Sequence, residues 1–309
     1  MELCEEADCV VAIGASLNRY TTEHGYLYAN AKFIHIDAKQ HVMLHGTTAA
    51  DIYMQSDAKV GTEALEGVLA KRNFKQTGYR TGEVRERLGN AWEDRHEFEI
   101  EPNTVDPRQT VLALDEVVPD SVGLFTGSGC TAGFSNIMFR RRRPLVMPGH
   151  FYGCIGQMMP AAIGAVMAQG NKPAMLVDGD ASILMHFNEF DTMVRHKVPL
   201  LIVVQNNEML GAEYYKLDAH KMDAMTSTIP TPDMGAVARG FGGRGVMATS
   251  IEQVRKAAAE WAANPGPMVI DVRISRSVIS LPYRRKIGRA PSELQSHLNL
   301  VCRLLLEKK

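Results

Sequence analysis

"LVDGDASILMHFNEFDTMVRHKVPLLIVVQNNEMLG", residues 176–211, decides how this chain folds. One apolar run ends in an aspartate, and the next ends in an Asn-Asn pair. Short apolar runs without polar alternation read as strands buried on both faces of a parallel sheet, and the piece between them reads as a helix. Asp180 and Asn207 then lie at the carboxyl ends of neighbouring strands, where open α/β sheets hold ligands.

Outward from this segment, composition permits the reading. The chain has 309 residues, 45% hydrophobic and 22% charged, enough for two domains or one and a half with a real core. A net charge of −1 gives no sign of nucleic acid or of an anionic membrane surface. Five cysteines (Cys4, Cys9, Cys130, Cys154, Cys302) form no Cys-x-x-Cys pair, which argues against a disulfide framework or zinc site and for a reducing cytoplasm. No stretch has the length and apolarity of a membrane span, and no leader pattern opens the chain. The expectation is a soluble, cytoplasmic α/β protein.

Before the segment, Ala7–Leu17 and Ala31–Lys39 read as short buried strands and Asp57–Arg72 as a helix, the closing part of a nucleotide-type domain over 1–72. Gly14 and Asp37 faintly suggest a nicotinamide site, without the Gly-x-Gly-x-x-Gly spacing that brings backbone to a pyrophosphate. Residues 73–105 turn charged and read as a solvated helix and linker. A second domain, 106–275, opens with the helical "RQTVLALDEVVP", a strand "SVGLF" and a glycine-rich loop "TGSGCTAG". "RRRR" (Arg140–Arg143) reads as a solvated surface run. "GCIGQMMPAAIGAVMAQG" begins as a loop and becomes an apolar helix, and "SIEQVRKAAAEWAANPGPMVIDVRI" supplies a closing helix and strand. Residues 276–309 are a basic, then helical, tail.

A loop aspartate and a loop asparagine on adjacent strand ends are hard oxygen ligands of the kind magnesium takes together with water and phosphate. Gly179 permits close backbone approach, and the amides of Asp180–Ser182 can face a phosphate. The residues by themselves therefore point to a magnesium-bridged diphosphate site, with a pair of capped tight turns as the plainer reading.

Gly179-Asp180-Ala181-Ser182, followed by Asn206-Asn207 with Asn207 27 positions beyond Asp180, resembles the diphosphate motif of thiamine-diphosphate enzymes. "NEFDTMVRHKVPLLIVV" and "EMLG" are similar to the acetolactate synthase and 2-oxo acid decarboxylase branch. The resemblance implies a parallel-sheet thiamine-diphosphate-binding domain preceded by a partial, Rossmann-like middle domain. It makes Asp180, Asn207 and the Met209 carbonyl the magnesium ligands. The backbone of Gly129, Cys130, Thr131, Gly179, Ala181, Ser182 and Leu210 would meet the diphosphate. Gly153, Cys154 and Ile155 would read the aminopyrimidine, and the Ile155 side chain would hold the cofactor bent, its ring nitrogen near the thiazolium carbon.

Two positions depart from the family. Ala181 replaces the motif's usual glycine, and Lys216, beside Tyr214 and Tyr215, stands near a position where acetolactate synthases use an aromatic residue. The glutamate that activates the aminopyrimidine belongs to a pyrimidine domain, and no position here is recognisable as that residue. The resemblance thus implies a component acting on 2-oxo acids with a pyrimidine-domain chain, in a homo- or hetero-oligomer. The alternative is a non-catalytic truncated or regulatory homologue that keeps the fold. FAD occurs in full-length relatives and has no support here. His150 and His186 lie near the site in sequence, with ordinary loop and helix histidines as the plainer reading. Glu208 and Glu213 read equally as channel or solvated residues.

Overall fold

The computed structural model describes all residues except 1, 18–20, 23–26, 29, 41–49, 73–79, 90–93, 150–152 and 285–309. Two compact units form, Met1–Ala91 and Trp92–Lys309. The boundary falls inside the stretch read as linker, for a physical reason. Arg108 donates to the carbonyls of Asp94 (2.9 Å) and His96 (2.6 Å), and Arg284 pairs with Asp94 at 2.5 Å. Both guanidinium groups lie over the Phe98 ring, at 4.9 and 5.4 Å. Residues 94–98 and the first residues of the expected tail are thereby fastened to the second unit.

In the first unit, α1 (Glu2–Glu5) precedes β1 (Cys9–Ile13), β2 (Lys32–Asp37) and β3 (Ile52–Gln55), a parallel sheet in the order β1-β2-β3. The strand β3, half-exposed and flanked by polar residues, has no apolar run to announce it. Helix α2 (Ala58–Lys71) starts where the Asp57 side chain accepts from the N–H groups of Lys59 and Val60, and α3 (Gly82–Gly89) follows. Ala12, Leu17 and Phe33 form a small core, while Val11, Ile13, Val60 and Val68 remain exposed.

The second unit begins with α4 (Pro107–Val117), which carries proline at its first turn and Asp106 as N-cap. Then come β4 (Gly123–Thr126), α5 (Ala132–Met138), β5 (Val146–Pro148), α6 (Met158–Ala168) and β6 (Ala174–Gly179). The piece expected as one helix is two, α7 (Asp180–Leu184) and α8 (Glu189–Arg195). The turns between them let Phe187 enter the core against Phe190, ring centroids 5.8 Å apart. β7 (Leu200–Asn206), α9 (Gly211–Ala219), α10 (Met234–Gly240), β8 (Arg244–Ala248), α11 (Ile251–Ala263) and β9 (Met268–Arg273) complete the unit.

The six strands are parallel in the order β5-β4-β6-β7-β9-β8. Every residue of β7 is buried, because both faces are covered. Helices α6, α8 and α10 pack one face through Met159, Ile163, Phe190 and Met234, and α4 and α11 pack the other through Leu114 and Trp261. From β4 the chain moves to β5 on one side and then to β6 on the other. The carboxyl ends of β4 and β6 therefore border the crevice where such sheets place ligands.

The arginine run is not a solvated surface run throughout. Arg140 and Arg142 are exposed, but Arg143 is buried. Its guanidinium donates to the carbonyls of Pro119 (2.8 Å) and Val122 (3.2 Å) and pairs with Asp115 at 3.4 Å. Carbonyls just past the α4 C-terminus have no intrahelical partner, and a buried cation satisfies them.

Candidate cofactor site

Four loops leave the carboxyl edge of the six-stranded sheet: Gly127–Thr131 after β4, the chain around Gly153–Gly156 after β5, Gly179–Ser182 after β6 and Asn207–Leu210 after β7. Strand order places the β5 and β6 loops on either side of the β4 loop, with the β7 loop next beyond β6. Side chains confirm the convergence. A Cβ on Gly211 would lie 3.3 Å from Cys130 Sγ and 3.6 Å from Asn207 Nδ2, and one on Gly179 would lie 3.5 Å from Thr131 Cγ2.

Asp180 is 2% exposed at the start of α7. Its Oδ1 accepts from the Ala181 N–H at 2.8 Å and its Oδ2 from the Glu208 N–H at 2.6 Å. One carboxylate thus joins the β6 and β7 loops. Burial pushes its pKa up to about 6, against the lowering effect of those N–H groups. Among the described residues no lysine or arginine pairs with it.

Asp178, which sequence reading passed over, organises the same edge. It is 1% exposed, accepting from Gly179 N (2.8 Å) and from the Ser182 hydroxyl (2.5 Å). Burial pushes it up to about 7, opposed by both hydrogen bonds and reinforced by Asp180. A Cβ on Gly127 would sit 1.7 Å from Asp178 Oδ1, so that loop position has room for glycine alone. The Ser182 Oγ also accepts from Gly156 N at 2.8 Å. Ser182 therefore fixes the β5 loop against the β6 loop through its side chain.

The remaining expected residues divide. Gly129 and Gly153 have φ 74° and 72°, with open space where a side chain would be, so backbone there is approachable. The Cys154 carbonyl accepts from the Ser128 hydroxyl at 3.2 Å, Cys154 is exposed, and Ile155 is half-buried. Thr131 is buried and donates to the Ser128 carbonyl at 3.2 Å. Met209 is buried. The Leu210 N–H is taken by the Ser227 carbonyl at 2.8 Å, so it is not free to meet a phosphate. His186 is exposed beside Gly156, and His150 lies outside the described residues. Glu213 pairs with Lys216 at 3.1 Å, and Glu208 turns to arginines.

The two asparagines have separate work. Asn206 Nδ2 donates to Asp271 Oδ1 (2.8 Å) and Thr231 Oγ1 (2.9 Å), holding the end of β7 to β9. Asn207 extends beyond the strand beside Cys130 and Gly211. Among the described residues, no group of three or more His, Cys, Asp or Glu is gathered to hold a metal. The donors on offer are one carboxylate, one carboxamide and backbone carbonyls.

Residues 127–272, which contain all four loops, match the family described as thiamine pyrophosphate enzyme, C-terminal TPP binding domain. That stretch is similar to the C-terminal, cofactor-binding domain of thiamine pyrophosphate enzymes. The chain is 26% identical over 279 residues to the acetolactate synthase large subunit of Parasynechococcus marenigrum (strain WH8102), covering 88% of this chain and 44% of that protein. It is 26% identical over 325 residues to the sulfoacetaldehyde acetyltransferase of Castellaniella defragrans, covering 95% of this chain and 54% of the relative. A probable acetolactate synthase 2, chloroplastic, of Oryza sativa subsp. japonica is 24% identical over 302 residues, covering 90% and 44%. The chain spans about half the length of these curated relatives. Among the described residues, no helix is long and apolar enough to cross a membrane.

Proposed function

We propose that this chain binds thiamine diphosphate through magnesium at the carboxyl edge of the six-stranded sheet, as the diphosphate-holding component of an enzyme that decarboxylates or ligates 2-oxo acids. The Asp180 carboxylate carries the proposal. It is sealed from water at the switch between β4 and β6, bridges both motif loops and has no basic partner among the described residues. A buried carboxylate is costly unless a cation neutralises it. A magnesium ion held by Asp180, Asn207 and the Met209 carbonyl would supply that charge, and diphosphate oxygens would fill its remaining positions.

When bound, thiamine diphosphate supplies the electron sink on which a 2-oxo acid loses carbon dioxide or is joined to a second carbonyl compound. The open backbone at Gly129 receives the diphosphate. Ser182, bonded to both Asp178 and Gly156, keeps the loop bearing Gly153, Cys154 and Ile155 in register with it. Ile155 then props the ring system. Acetolactate synthase and sulfoacetaldehyde acetyltransferase relatives support the reaction class. Exposure of Gly153 and Cys154 supports a further element of the proposal, that a pyrimidine-binding domain of a partner chain covers the ring and brings the activating glutamate.

Calorimetry with thiamine diphosphate, with magnesium and with chelator, tests the core of this reading. Binding that requires the cation is expected, and equal affinity in chelator would overturn the metal assignment. Absence of binding under both conditions would favour a non-catalytic homologue that keeps only the fold. Mixing with a pyrimidine-domain chain, and reading pyruvate turnover, tests the partner.

A further inference from the structure

Glu208 sits between two of the proposed magnesium ligands with φ 56°, a left-handed backbone that long side chains seldom adopt. Its N–H donates to Asp180 Oδ2, and its carbonyl accepts from Ile229 N at 2.8 Å. The turn is thus held on the backbone side. The side chain is held as well. Arg273 Nη1 donates to Oε1 at 3.1 Å and Arg276 Nη2 to Oε2 at 3.3 Å. Arg276 Nε donates to the Asn207 carbonyl at 2.7 Å, so the same guanidinium grips two successive residues of the loop.

Both arginines are anchored. Arg273 faces Asn206 in the β7–β9 register and also donates to Asp271 (3.1 Å), the Pro232 carbonyl (3.0 Å) and Thr231 (3.2 Å). The Arg276 carbonyl accepts from the buried Tyr215 hydroxyl at 2.8 Å. A cavity of about 320 Å³ lies against the clamp, lined by Glu101, Asn207, Glu208, Arg273 and Arg276 among others. Side-chain exposures of 37% for Glu208, 43% for Arg276 and 18% for Arg273 leave the Arg276 pair wet and the Arg273 pair partly so. A wet ion pair stabilises a fold by at most about 1 kcal/mol, whereas a left-handed non-glycine turn costs roughly 1–3 kcal/mol. Stability therefore does not account for the arrangement. Its effect is geometric.

We propose that Glu208 is a positioning residue for the cation. Clamped by Arg273 and Arg276, it holds the 207–209 turn so that the Asn207 carboxamide and the Met209 carbonyl converge on Asp180. The inference rests on the magnesium reading above and gives Glu208, with Arg273 and Arg276 from outside the motif, a role beyond those the motif implies.

The test titrates magnesium into the full chain at saturating thiamine diphosphate, and separately titrates thiamine diphosphate at saturating magnesium. Glu208→Gly removes the carboxylate and also relieves the left-handed backbone. Glu208→Gln keeps length and hydrogen-bonding capacity without charge. Glu208→Gly is expected to raise the magnesium midpoint about 10- to 100-fold, the range seen when groups that orient metal ligands are removed. Glu208→Gln should raise it less. In both, cofactor affinity at saturating magnesium and the melting temperature of the free chain should stay near those of the unmodified chain. A merely structural residue would instead lower the melting temperature and weaken both titrations together. A magnesium midpoint unchanged in Glu208→Gly overturns the clamp; if that variant does not fold, an unchanged midpoint in Glu208→Gln does so. Cofactor binding to the unmodified chain that ignores magnesium overturns the metal reading itself, whatever the variants show.

Discussion

Each unit of this chain places an aspartate at or just past the carboxyl end of a parallel strand, yet the two aspartates differ. Asp37 closes β2 in a three-stranded sheet, where its Oδ1 accepts from Lys39 N at 3.1 Å in a local turn and its side chain stays 17% exposed. Asp180 follows β6 in a six-stranded sheet, 2% exposed, with one oxygen on its own loop and the other on the next. The same residue type at the same topological place is a turn residue in one unit and a candidate ligand in the other. What separates them is depth. In the second unit more strands lie beyond the immediate neighbours on each side, where β2 has only β1 and β3, and helices cover both faces, so water cannot solvate the carboxylate.

Asp180→Ala should break the second edge and Asp37→Ala should leave it intact. The largest effect expected is loss of magnesium-dependent thiamine diphosphate binding in Asp180→Ala, a fall beyond about 100-fold, read by calorimetry. Asp37→Ala should bind as the unmodified chain does. Equal losses would show that the contrast in burial has no chemical consequence.

The sheets should differ in packing energy too. Trp261, fully buried on α11 against the second sheet, donates its indole N–H to the Gly266 carbonyl at 2.8 Å. Trp261→Ala is expected to cost about 3–5 kcal/mol in urea unfolding of the second unit. Val68→Ser, on the exposed face of α2, should stay within about 0.5 kcal/mol. A large loss in Val68→Ser would mean that its exposed face is packed in solution.

This depth was partly legible from residues alone. β6 and β7 open with continuous apolar runs, β9 is apolar but for Asp271 and Arg273, and α4 and α11 show helical spacing after clear caps, Asp106-Pro107 and Ser250. β3, β5 and β8 escaped notice because edge strands are half-wet and short, and so lack an apolar run. Asp180 and Asn207 stood out because local order in the chain carries them. The contact of Gly127 with Asp178 and the hold of Arg273 and Arg276 on Glu208 are set by strand order. They join positions 51, 65 and 68 residues apart, beyond the reach of any local pattern. Arg143 failed for a related reason: four adjacent arginines read as one solvated run, although one of them meets a helix terminus.

Burial of two carboxyls also predicts a pH dependence particular to the second unit. Asp178 is raised from 3.8 to about 7 and Asp180 from 3.8 to about 6, chiefly by desolvation. Over that window the folded chain keeps protons that the unfolded chain has released. Stability of the metal-free chain should therefore be highest near the acid end of the window and fall as pH rises toward 7, by a few kcal/mol. Urea unfolding in chelator at a series of pH values measures this, and Asp178→Asn should flatten the upper part. Magnesium binding should run the other way, strengthening as pH rises through about 6, because Asp180 must lose its proton to ligate the cation.

The smallest expected effect separates neighbours within the second edge. Asn207→Ala removes a neutral oxygen that water can partly replace, so magnesium affinity should fall only about tenfold, or roughly 1.4 kcal/mol. The fold should not notice, because Asn207 lies beyond the strand and its carbonyl, which accepts from Arg276, is unchanged by the substitution. Asn206→Ala makes the opposite trade. It strips Asp271 Oδ1 of its hydrogen bond and Thr231 of one of its bonds inside the unit, and a buried acceptor left unpaired costs about 1–3 kcal/mol. Its melting temperature should fall, while any loss of magnesium affinity would come through a loosened β7 terminus. Measured side by side, thermal melts should single out Asn206→Ala and magnesium titrations Asn207→Ala. A stability loss in Asn207→Ala with intact metal affinity would reverse the roles and move the cation's second ligand elsewhere on the loop.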